Sequence, residues 1–199
     1  MKKFLKPLTL LILVTSLASC VAVRSDKYSA IKPEDLKVSV TKKSKIFIDW
    51  GFRHINNSNP PQIVVDSVVS DQKKLFSEAI KESECCEIVN EKDEADILVQ
   101  GKFHNESSKA GFYASIVTGL TLYTIPSWIN SKMRITATVN KGKITKDYDL
   151  KDSIFFAQWL PLFVVPIFGG NQLAVETEVN KNLYKTLLTQ MKKDEFFGK

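Results

Sequence analysis

At 199 residues, 44% hydrophobic and 25% charged, the chain holds enough apolar residues for one sizeable core, which excludes a disordered polar polymer. Its formal charge is +6, but three of those charges are Lys2, Lys3 and Lys6, so residues from 20 onward carry +3. The remaining lysines are scattered among acids, which excludes the clustered basic face of a nucleic-acid binder.

The first twenty residues read as an export signal. The basic start is followed by an apolar run from Leu8 to Leu17, broken only by Thr and Ser, and then by small residues before a cysteine. The run is shorter than the ~20 residues a membrane span needs. Leu17-Ala18-Ser19-Cys20 resembles the lipobox of bacterial lipoproteins. That resemblance implies removal of residues 1–19 and a diacylglyceryl group on the Cys20 thiol. In many bacteria a third acyl chain, such as palmitate, joins the freed amine. Two or more chains hold a protein stably on a membrane that it does not cross. Val21 and Ala22 follow, where inner-membrane lipoproteins often carry Asp directly after the cysteine. The resemblance therefore implies an outer-membrane lipoprotein facing the periplasm.

Residues 20–44 are polar and without sustained periodicity, which predicts a lipidated tether ahead of one domain over 45–199. Ile46, Ile48 and Trp50 alternate as a strand does. Asn56 to Pro61 reads as a loop. Asp66 or Ser67 caps a helix to about Ser83, with Val68, Leu75, Phe76, Ala79 and Ile80 as its apolar stripe. Short strands follow at Cys85 to Val89 and Ala95 to Phe103. Lys132 to Leu150 predicts a hairpin turning at Lys141-Gly142, and Gln172 to about Met191 a closing helix. This order predicts an α+β two-layer sandwich, its sheet mostly antiparallel and its two main helices on one face. Such a domain, from about Lys45 to Met191, is expected to fold without its lipid. Ala95-Asp96-Ile97-Leu98-Val99-Gln100-Gly101 is similar to a pattern common in periplasmic domains of the TolB N-terminal and curli-secretion-channel type.

No charge occurs from Ala110 to Ser131 or from Ser153 to Val175. Pro161 and Pro166 would break a regular helix in the second segment. Strand parity sends both segments to the sheet end opposite Lys141-Gly142. Three readings stay open there: folded-back core, an exposed patch for a membrane or partner, and a membrane-inserted assembly of the curli-channel kind. The contact candidates are Tyr123, Trp128, Phe155, Phe156, Trp159, Leu162 and Phe163.

The catalytic inventory is thin. His54 and His104 are isolated, and no nucleophile, phosphate-loop or paired metal-ligand motif is present. Cys85 and Cys86 form either a strained bridge between neighbours or two small strand residues. The expectation is a non-enzymatic, cofactor-free lipoprotein, a binding or scaffolding module at the membrane surface with a possible envelope protein partner. The alternative is a subunit of an envelope secretion or transport assembly.

Overall fold

Period-two alternation of apolar residues builds a single mixed sheet in the computed structural model, which describes residues 20–25, 27–38, 42–56, 66–159 and 172–197. Its strands are β1 (Cys20–Arg24), β2 (Ser44–Asn56), β3 (Cys86–Val89), β4 (Ile97–Ser107), β5 (Ser127–Lys141) and β6 (Ile144–Gln158). The helices are α1 (Pro33–Leu36), α2 (Asp66–Ser83), α3 (Lys109–Leu120) and α4 (Gln172–Lys193). Strand order is β1-β6-β5-β4-β2-β3. The pairs β1–β6, β6–β5 and β5–β4 are antiparallel, while β4–β2 and β2–β3 are parallel. The molecule is the α+β sandwich that the element order implies, with α2 and α4 packed together on one sheet face.

Alternation decides what lies under those helices. Ile46, Ile48, Trp50, Ile97, Val99, Phe103, Ile135, Val139, Leu150 and Ile154 all point inward and are buried. Phe76, Ala79 and Ile80 of α2 meet Val179, Leu183, Tyr184, Leu187 and Met191 of α4 over them. Trp50, Phe76 and Tyr184 form an aromatic cluster with ring centroids 5.1–5.4 Å apart. The buried Tyr184 hydroxyl donates to Gln72 Oε1 at 2.8 Å, which satisfies it within that cluster.

Trp50 is accommodated by Gly101, its partner across β2 and β4. A Cβ built on Gly101 would stand 2.3 Å from Trp50 Cζ3, so only glycine lets the indole lie flat across β4. Gly142 takes a φ of +57°, the left-handed value that a two-residue hairpin loop asks of its first residue. Lys141 and Ile144 close that loop.

Residues 20–38 depart from the tether expected of them. β1 adds to the sheet edge beside β6, with Ala22 buried opposite Phe156. The chain then straps across α4. Asn182 on α4 accepts from the Ile31 backbone N–H at 3.0 Å and donates to the Tyr28 and Ser29 carbonyls at 3.2 and 3.3 Å. Leu36 of α1 is fully buried between α2 and α4. Lys192 Nζ donates to the Lys37 carbonyl at 2.7 Å. No periodicity announces this strap, because most of its bonds are made by backbone groups.

The hairpin is longer than its alternation in charge and polarity implies. β5 starts at Ser127 and β6 runs to Gln158, so each uncharged segment is partly strand. Cys85 and Cys86 are both unbonded and both buried. Asp194, just beyond α4, accepts from Lys146 Nζ and from the Tyr148 hydroxyl. These two donors hold its carboxyl below the ordinary value of 3.8. A depressed carboxyl stabilises the fold above its unfolded pKa, and that contribution is lost as pH falls through the folded value. Asp194→Asn should therefore narrow the loss of stability between neutral pH and about pH 3, read as the shift in urea midpoint. An unchanged shift would show that the Lys146–Asp194–Tyr148 contact contributes nothing to acid sensitivity.

Candidate functional site

The sheet end opposite Gly142 is where water meets apolar surface. β4 leaves it at Ser107, β5 returns from it at Ser127, β6 ends there at Gln158, and β1 begins there at Cys20. Cys20 is paired with Gln158, and Gln158 with Ser127. The two uncharged segments thus meet side by side in the described residues, as strand parity requires.

α3 starts with a cap: Ser108 Oγ accepts from the Gly111 backbone N–H at 2.9 Å. It then turns its small residues inward. Gly111 and Thr118 are buried, with Ala114 and Ser115 half-buried, at the i, i+3, i+4, i+7 spacing of one helix face. Gly111 sits so close to β5 that a Cβ there would be 3.2 Å from Ile129 Cγ1. The large residues are left outside: Phe112 is 59%, Tyr113 65% and Leu120 80% exposed, and Ile116 and Val117 are exposed beside them. This inverts the usual arrangement of a helix on a water-soluble domain.

The turn after α3 continues the same surface. Leu122 and Tyr123 both take positive φ, 50° and 61°. Glycine or asparagine fits such positions best, and a bulky residue there costs about 1–2 kcal/mol. Leu122 nevertheless projects into solvent, as does Ile125. The Tyr123 backbone N–H donates to the Thr118 carbonyl at 2.8 Å and holds the turn against α3.

The sheet face away from α2 and α4 carries a second exposed apolar group at the same end, across the sheet from α3, whose Gly111 packs on the helix-side Ile129. Trp128, opposite Ala157, is 64% exposed. Phe155 is exposed between Val23 and Asn130, its partners on either side. Trp159 is exposed just beyond β6. Of the candidates read from sequence, Trp128, Phe155 and Trp159 therefore share one exposed region, and Tyr123 is half-buried in the turn. Phe156 is corrected: alternation along β6 turns it to the helix side, where it is 5% exposed. Leu162 and Phe163 lie outside the described residues. Phe112, Tyr113, Ile116, Val117, Leu120 and Leu122 were not singled out by sequence. The spacing of Gly111, Ala114, Ser115 and Thr118 was the signal available for them.

One row toward the hairpin the same face becomes cationic. Lys132 and Ser153 are paired, then Arg134 and Lys151, and with Lys27 they line a depression of about 340 Å³ that also includes Glu106 and Asp152. Farther along, Asp49, Gln100, Lys102, Thr136, Thr138 and Asp147 line an open groove of about 660 Å³. Its polar groups bond largely to one another. Thr138 donates to Asp147, Gln100 to Asp49, and Arg134 to Asp149 through two hydrogen bonds of 2.7 and 2.8 Å. That pair holds the Asp149 carboxyl below its ordinary range. Among the described residues no three His, Cys, Asp or Glu side chains come together as a metal site. No helix among them is long and apolar enough to cross a membrane.

No protein-family model matches the chain, and no curated protein matches its sequence.

Proposed function

We propose that the chain is a lipid-anchored lipoprotein of the cell envelope, held at Cys20 and acting as a non-catalytic binding or scaffolding module at the membrane surface. One observation carries this reading. The residue that the lipobox resemblance marks for acylation is also the first residue of β1, at the sheet end where large apolar side chains are exposed. Anchor and apolar surface coincide, with no spacer between them. The outer membrane, facing the periplasm, is the proposed location, supported by Val21 and Ala22 after the cysteine.

The test is covalent. Cells fed labelled palmitate should label the wild-type protein, and Cys20→Ala should abolish the label and leave the precursor uncut. Normal labelling of that variant would overturn the anchor.

A further inference from the structure

We infer that the exposed surface of α3, the turn after it and the ends of β1, β5 and β6 is a bilayer-docking tip, which stands the sheet upright on the membrane with the Gly142 hairpin outward. The inference rests on the anchor reading only for its choice of occupant. Four observations select a lipid surface. Cys20 opens β1 at this end, so acyl chains carried by that residue would tether the chain at the sheet end where the apolar side chains are exposed. Large apolar side chains are exposed on both sheet faces at this end, on α3 and its turn on one side and at Trp128 and Phe155 on the other, and no charge occurs from Ala110 to Ser131. Trp128, Trp159 and Tyr113 are amphipathic rings suited to the water–lipid boundary. Lys132 lies four residues along β5 from Trp128, about 14 Å at strand rise, where anionic headgroups would meet it together with Lys27 and Lys151.

The dimensions fit docking rather than crossing. α3 has twelve residues, about 18 Å of helix against a hydrocarbon core of about 30 Å. Such a helix lies in the interface with its apolar face down. Leu122 fits the same account. A strained exposed leucine has no use in water, but in lipid its side chain is buried.

The test separates the tip from the anchor. A chain beginning at residue 20 with Cys20→Ser keeps every described backbone element and carries no lipid. It should co-sediment with vesicles of phosphatidylethanolamine and phosphatidylglycerol at about 3:1, and bind more weakly as salt rises from about 50 to about 500 mM. The triple variant Phe112→Ser, Leu120→Ser, Trp128→Ser should bind at least tenfold more weakly. All three side chains are exposed, so its thermal midpoint should stay near the parent's. Equal vesicle binding by parent and variant, no binding by the parent, or a parent dimer that the variant dissolves would each overturn the tip. Labelled Cys20 with no vesicle binding leaves the anchor and removes the tip. Vesicle binding with unlabelled Cys20 does the reverse.

Discussion

A chain cut to begin at Ser44 is expected to lose its cooperative fold. Sequence alone gives the opposite expectation, because residues 20–44 look like a tether. In the structure their removal strips β1 from residues 154–158 of β6 and leaves that edge unpaired. It uncovers the site of Leu36, whose burial is worth about 1.5–3 kcal/mol. It also removes the three hydrogen bonds between Asn182 on α4 and the strap backbone, worth about 0.5–1.5 kcal/mol each net of solvation. Together with the lost burial of Ala22 these changes approach the ~5–15 kcal/mol that a domain has in total. Urea unfolding followed by circular dichroism should give a broad, early transition. A sharp transition at the midpoint of the chain beginning at residue 20 would show that the strap is ornamental.

Gly101→Ala is expected to be the most damaging addition of a single methyl group. The new Cβ would press on Trp50 Cζ3, Cη2 and Cε3 at 2.3, 2.6 and 2.7 Å. The indole has no room to retreat, because Phe76 and Tyr184 stack against it. Overpacking of this kind costs about 3 kcal/mol. The cause is separable by a double-mutant cycle. In a Trp50→Leu background, Gly101→Ala should cost less than about 1 kcal/mol, since the clashing ring is gone. An equal cost in both backgrounds would mean that β4 rejects alanine for reasons of its own.

Strong periodicity made α2, α4, β2 and the β5–β6 hairpin legible in the sequence. Phe76, Ala79 and Ile80 mark a buried helix face, and Ile135 and Val139 a buried strand face, whatever surrounds them. β1 and the strap were not legible. β1 has five residues at an edge, and the strap is held by backbone bonds to one asparagine 151 positions away from Ile31. The meeting of the two uncharged segments followed from parity alone. Which of their side chains stay outside did not. An uncharged stretch reads as core in any sequence, and α3 differs only because its small residues, rather than its large ones, fall on the packed face. Phe156 shows the complementary error: it was grouped with Phe155 by composition, although neighbours on a strand face opposite ways.

The orientation on the membrane is tested most directly by depth. The fifteen residues of β5 run about 45 Å from the tip to the hairpin, more than the thickness of the ~30 Å hydrocarbon core. Nitroxide labels placed by Leu120→Cys and by Lys143→Cys in the lipidated protein on vesicles should therefore report different media. The expected result is an oxygen-accessible, water-shielded label at 120 and a fully aqueous label at 143. Aqueous signals at both positions would contradict the bilayer-docked tip.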